Sequence, residues 1–156
     1  MELRLFHACD PAVRLEVATA LVAEWPDDFG SEGGPEGVVR LIEKRFATWE
    51  SEHRVFLVAR LRGRLLGTFS IEHDLEGKFT PCLANLWVHP SARGKGIGRL
   101  FVRIAERYVR KRGVSVMYLW CLDGLPSYYE KLGYKIVEST LGSRGQNIHF
   151  MGRSVV

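Results

Sequence analysis

Residues 93–98 read Arg-Gly-Lys-Gly-Ile-Gly, directly after Val88-His89-Pro90 and directly before a stretch of helical periodicity. A strand that passes through a glycine-rich turn into a helix aims backbone N–H groups and the positive helix end at one point, which suits an anion. Gly94, Gly96 and Gly98 allow close backbone approach, and Arg93, Lys95 and Arg99 add positive charge, so a pyrophosphate fits. A tight turn with solvated basic side chains explains a bare glycine triplet equally well. Two common phosphate loops do not match. A P-loop needs Gly-Lys followed by Ser or Thr, and Lys95 is followed by Gly96. The dinucleotide fingerprint counted from Gly94 puts Arg99 where its third glycine belongs, with no acidic ribose ligand near Tyr118.

Two further segments carry a pattern: Leu86-Trp87-Val88-His89-Pro90 upstream, and Tyr129-Glu130-Lys131-Leu132-Gly133-Tyr134 downstream. With Arg93, Gly96 and Gly98 they make the chain resemble, over essentially its whole length, the GNAT superfamily of acyl-CoA-dependent N-acyltransferases. The resemblance implies acetyl-CoA as cosubstrate. It assigns backbone groups of Leu86, Trp87 and Val88 to the pantetheine arm, and Arg93, Gly94, Lys95, Gly96, Ile97, Gly98 and Arg99 to the pyrophosphate. It also implies that Tyr129 donates a proton to the leaving sulfur, with Tyr128 as the alternate.

The chemistry needs a base as well, because an alkyl ammonium with a pKa near about 10 must lose a proton before it attacks a thioester. Many members of the superfamily place a glutamate on the strand before the loop, and here Asn85 stands there, which cannot accept that proton. Glu72, His73, His89 or a relayed water are the remaining candidates, with Glu72 favoured at the end of the preceding strand. Where the superfamily often carries an asparagine seven positions before the tyrosine, this chain has Leu122, with Asp123 beside it.

The acceptor is expected near residues 25–37, where Trp25, Asp27 and Asp28 combine an aromatic surface with carboxylates. Glu72, Asp74 and Glu76 add to the same field. That mixture favours a cationic amine such as a polyamine, an aminoglycoside or a peptide N-terminus. An ordinary solvated acidic loop is the competing explanation. Two other functions stay open: a protein or peptide N-terminal or lysine acetyltransferase, and a non-catalytic acyl-CoA-binding domain. RNA binding through Arg99, Arg103, Arg107, Arg110, Lys111 and Arg112 is disfavoured, because the stretch lacks interleaved exposed aromatics. No nucleic-acid or membrane partner is expected, and a homodimer stays open.

Cys9, Cys82 and Cys121 are odd in number and far apart, which fits a reducing, cytoplasmic setting better than a disulfide framework. Cys121 ends a buried strand with no histidine patterned to it, so it reads as a structural thiol. His7, His53, His73, His89 and His149 are scattered, and no metal site is expected. The formal charge of +4 comes from a local basic excess around residues 93–112. There is no run of apolar residues long enough for a membrane span, and no secretory leader pattern at the N-terminus.

These residues need a scaffold. A chain of 156 residues, 46% hydrophobic and 26% charged, fits one N-acetyltransferase domain over 1–156. Leu3 and Leu5 alternate against Arg4 and Phe6 in a first strand. Asp10-Pro11 then starts a helix striped by Val13, Val17 and Leu21. Residues 25–37 read as a loop, and a second helix after Pro35 carries Val38, Ile42, Phe46 and Trp49. Residues 55–59 and 65–71 form a hairpin around Arg62-Gly63, and a third strand runs from Pro81 to Val88. Leu100, Phe101, Ile104, Ala105 and Tyr108 stripe the helix after the glycine loop, which Gly113 closes. Residues 114–121 read as a strand buried on both faces and parallel to the strand before that helix. A short helix over 125–132 and strands at 134–137 and 148–156 complete an α/β fold. The expected sheet is twisted, mixed and mostly antiparallel, with about seven strands flanked by about four helices in the order β-α-α-β-β-β-α-β-α-β-β.

Overall fold

The computed structural model describes residues 1–47, 54–73 and 77–156. Trp49, His53, Asp74 and Glu76 lie outside the described residues. The elements are β1 (Glu2–Leu5), α1 (Pro11–Glu24), α2 (Pro26–Phe29), α3 (Gly34–Arg45), β2 (Val55–Leu61), β3 (Arg64–Glu72) and β4 (Cys82–Val88), followed by α4 (Ile97–Arg110), β5 (Val116–Leu122), α5 (Pro126–Glu130), β6 (Lys135–Leu141) and β7 (Asn147–Ser154). Among the described residues, seven strands follow the sheet order β1-β2-β3-β4-β5-β7-β6. β4 and β5 are parallel at Cys82↔Tyr118 and Leu83↔Leu119, as expected where a helix makes the crossover.

The chain divides into two compact units, Met1–Ser70 with Asn85–Gly98, and Ile71–Ala84 with Arg99–Val156. In the first, β1 pairs antiparallel with β2 from Glu2↔Arg60 to Leu5↔Leu57. The β2–β3 turn uses Arg62 and Gly63 at φ 50° and 77°, the left-handed pair that suits a two-residue hairpin turn. Val13, Val17 and Leu21 of α1 and Val38 and Ile42 of α3 are buried in one apolar cluster, together with Phe56. Phe56 meets Phe6 and Phe46 edge-on, with centroids 5.3 and 5.5 Å away. An Arg14–Glu43 ion pair ties α1 to α3.

Several expectations need correction here. Phe6 does not continue the strand. It sits in a 3-10 turn and is buried, because its ring supplies core volume under Phe56. Residues 25–37 are not a plain loop: Pro26 starts α2, Asp27 and Asp28 occupy its first turn, and α3 begins at Gly34. Acidic residues at that position oppose the positive helix end. Phe29 buries its ring and sits 6.3 Å from Trp25, which holds the short turn down.

In the second unit β5 pairs antiparallel with β7 from Val116↔Ser154 to Leu122↔Ile148, and β6 lines the outer side of β7 with a bulge between Ile136 and Glu138. β5 is buried on one face only. Met117, Leu119 and Cys121 point inward, whereas Trp120 is 47% exposed. The apolar run conceals an alternation, because its outward residues are hydrophobic too. On α4 the buried positions are Phe101, Val102, Ala105, Glu106 and Val109, and Leu100 lies outside the stripe, exposed. Among the described residues no helix is long and apolar enough to cross a membrane.

Candidate active site

The glycine loop belongs to the first unit up to Gly98. His89 precedes a 3-10 turn, and its Nδ1 accepts the Ser91 amide at 3.2 Å, which fixes the exit from β4. Arg93 then donates from Nε to the Val88 carbonyl at 2.9 Å, and its guanidinium meets Glu24 at 2.8 Å. Lys95 Nζ donates to the Ser91 carbonyl at 3.0 Å. These two cations brace the turn, a role that residue type alone did not reveal. Gly94 and Gly96 hold φ 73° and 79°, and no atom lies within 4 Å of where a Cβ would stand on either. The loop therefore needs glycine for its conformation, and it presents open backbone to solvent. Ile97 and Gly98 open α4 and are half-buried. Their N-terminal amides have no partner within the helix, so the end can receive negative charge. Arg99 follows as an exposed cation in the second unit.

On β4, Leu86 and Val88 are half-buried, while Trp87 turns into the apolar cluster and is 5% exposed. Its indole Nε1 is buried with no hydrogen-bond partner among the described residues. Asn85 interrupts the extended backbone at φ 49°. Its carbonyl accepts from Thr68 Oγ1 at 2.9 Å and its Nδ2 donates to Ser70 Oγ at 2.8 Å, both hydroxyls being fully buried. Asparagine tolerates that left-handed conformation better than most residues. Asn85 is thus a structural pin.

Tyr129 lies on α5 in the second unit. Its amide bonds to the Leu125 carbonyl, and its own carbonyl accepts the amides of Leu132 and Tyr134 at 2.9 and 3.1 Å. The rings of Tyr128 and Tyr134 meet it edge-on at 5.0 and 6.2 Å. No partner for its hydroxyl exists among the described residues. Burial pushes the phenol well above its ordinary range, helped by Tyr128 and Cys121, so it stays protonated at neutral pH. Tyr128 is more exposed and is raised less, also by burial. Tyr134 is fixed in turn. It is buried, and its hydroxyl donates to Glu106 Oε1 at 3.1 Å, a carboxylate that also receives Arg153 at 2.7 Å and Arg103 at 2.8 Å.

Glu72 ends β3 half-buried, with His73 half-buried beside it. Trp25 is half-buried against the apolar cluster, and Asp27 and Asp28 are exposed on α2. Cys121 is buried with its sulfur 3.8 Å from that of Met151, and burial pushes its thiol up to about 11. That is the environment of an inert structural cysteine. Among the described residues no group of acidic, histidine and cysteine side chains is arranged to hold a metal. The structure thus places Leu86, Trp87, Val88 and residues 93–98 along one continuous stretch of the first unit, and Glu72, Arg99 and Tyr129 in the second.

Comparison with known proteins follows the same lines. Residues 16–134 match the family described as Acetyltransferase (GNAT) family. A streptothricin acetyltransferase of Streptomyces lavendulae is 31% identical over 101 residues, covering 64% of this chain and 47% of the relative, so the chain spans about half of that protein. An uncharacterised N-acetyltransferase of Schizosaccharomyces pombe is 30% identical over 135 residues, covering 84% of this chain and 82% of its own length. Among solved structures, an aminoglycoside 6'-N-acetyltransferase complexed with coenzyme A superposes with a TM-score of 0.79 at 21% identity. The match covers 100% of this chain and 98% of the other.

Proposed function

Because the chain belongs to the acetyltransferase (GNAT) family, we propose that residues 1–156 act as one N-acetyltransferase domain. It moves the acetyl group of acetyl-CoA to a primary amine by direct attack, on a cationic small molecule of the polyamine or aminoglycoside kind. The observation that carries the reading is the Tyr129 phenol, held protonated by burial and uncommitted to any described side chain. Such a group can donate to a leaving thiolate without first breaking a bond of its own.

The donor half draws on the loop. The backbone of Leu86, Trp87 and Val88 would run beside the pantetheine arm, and the amides from Gly94 to Arg99 would receive the pyrophosphate. Arg93 and Lys95 shape the turn through Glu24, Val88 and Ser91. For the acceptor, Trp25, Asp27, Asp28 and Glu72 supply an aromatic surface and negative charge, with Glu72 as the base that takes the ammonium proton. The streptothricin acetyltransferase relative is consistent with a small amine acceptor.

Asn85 favours a second reading, a domain that binds acyl-CoA without turnover, since its amide is engaged by Ser70 and it cannot serve as a base. One experiment separates the two. The protein is incubated with acetyl-CoA and a panel of polyamines, aminoglycosides and short peptides while thiol release is followed. Release with a cationic small molecule, lost in Tyr129→Phe, supports the enzyme. Release only with peptides moves the acceptor class, and tight binding with no release across the panel overturns the enzyme reading.

A further inference from the structure

Three polar side chains from separate segments of the second unit form a continuous hydrogen-bonded chain. Ser139 on β6 and His149 on β7 are register partners, and their Oγ and Nδ1 atoms are 2.8 Å apart. On its other side, His149 Nε2 lies 2.6 Å from Asp123 Oδ1, one residue past the end of β5. Asn147 Nδ2 donates to the second Asp123 oxygen at 2.9 Å.

Proton positions follow from the partners. Hydrogen bonds from His149 and Asn147 hold the Asp123 carboxyl below its ordinary range, so it is an acceptor only. Nε2 must therefore carry the proton that faces it. In the neutral ring Nδ1 is then an acceptor, and the Ser139 hydroxyl must donate to it. A hydroxyl bonded to a base that a carboxylate holds in the right tautomer is the arrangement of an activated nucleophile. Ser139 is exposed, while the His149 side chain is only 17% exposed, so the nucleophile is open and its base is sheltered. β6 is the last strand in the sheet order, which leaves outward backbone N–H groups of an edge available to a developing oxyanion.

We propose that Ser139, His149 and Asp123 form a second site, a weak acyl-ester hydrolase that accepts short acyl groups from activated esters. The Ser139 Oγ forms a bond to the acyl carbon as its proton passes to His149 Nδ1. The bond from that carbon to the leaving oxygen breaks, and the imidazolium returns the proton to the leaving group or to solvent. Water then attacks the acyl-serine, gives a proton to Nδ1 that returns to Ser139 Oγ, and releases the carboxylic acid. The balance is ester plus water to acid plus alcohol. β6 is exposed along its whole length, hence the restriction to short acyl groups.

The site needs no coenzyme, so its test is independent of the acetyltransferase reading. The full chain is mixed with p-nitrophenyl acetate, nitrophenolate is followed by absorbance, and acid-quenched protein is digested and weighed. We expect release to exceed that of Ser139→Ala by at least about tenfold, with one acetyl group on the peptide containing Ser139. His149→Ala should match Ser139→Ala and recover with added imidazole, and Asp123→Asn should fall between them and the unaltered protein. Ser139→Ala lies on an exposed strand and should leave the urea midpoint unchanged, which shows that the fold survives. A release rate unaffected by Ser139→Ala, or an acetyl label found only on another residue, overturns the proposal.

Discussion

Glu106 on α4 receives the hydroxyl of Tyr134, 28 positions further along the chain, inside the second unit. Glu106 is 9% exposed, and its carboxylate is shared with Arg103 and Arg153. A buried charge so paired is costly to unpair. Glu106→Ala should therefore lose about 3 kcal/mol of stability, while Tyr134→Phe, which leaves both arginines in place, should lose about 1–2 kcal/mol. Urea titration of the three proteins checks both values and their order.

The Tyr129 hydroxyl, unlike that of Tyr134, has no hydrogen-bond partner among the described residues. Tyr129→Phe should leave the urea midpoint nearly unchanged and lower kcat for acetyl transfer by about 10²-fold or more, the scale of a lost general acid. Tyr134→Phe should cost stability with a smaller kinetic effect, since its amide bond to the Tyr129 carbonyl survives the change. Reversal of that pattern would move the acid role away from Tyr129.

Titration above neutrality gives a separate handle. Burial raises the phenols of Tyr129 and Tyr134 and the thiol of Cys121, the last from 9.0 to about 11. Groups whose folded values lie above their unfolded ones add stability that is complete below the unfolded value and disappears as pH rises past it. Stability should thus hold through neutrality, begin to fall near pH 9.0 as the Cys121 reference value is passed, and fall further above about 10. Cys121→Ala should flatten the first part of that decline, read as melting temperature against pH.

Gly96 holds φ 79° with open space around it. Gly96→Ala meets no atom, so its cost is conformational, about 1–2 kcal/mol for a left-handed residue with a Cβ. The loop should relax to avoid that cost, and acetyl-CoA affinity measured by calorimetry should drop at least about tenfold. An unchanged affinity would argue that the loop does not hold the donor.

The contrast between Phe101 and Glu106 shows what could be read from the chain. Phe101 and Ala105 recur at helical spacing, and local period alone identified their buried face. Glu106 belongs to the same face, yet its burial depends on Tyr134 and Arg153, whose proximity only the folded chain creates. The chain Ser139–His149–Asp123 was invisible for the same reason, since two strand registers are needed to assemble it. α2 was missed because a four-residue turn has no period to detect, and it rests on Pro26 and on the burial of Phe29. The glycine loop was legible because its letters carry the backbone conformation directly.

Thr68 and Ser70 place two fully buried hydroxyls in β3, each tied to the kinked Asn85. Valine at position 68 would take the Thr68 hydroxyl from the Asn85 carbonyl, and valine at position 70 would leave the Asn85 side-chain amide without its acceptor. Either exchange should therefore lower thermal stability despite the better strand propensity of valine, because a polar group of Asn85 loses its buried partner. The pair of hydroxyls is what lets β4 carry a left-handed residue shortly before the glycine loop.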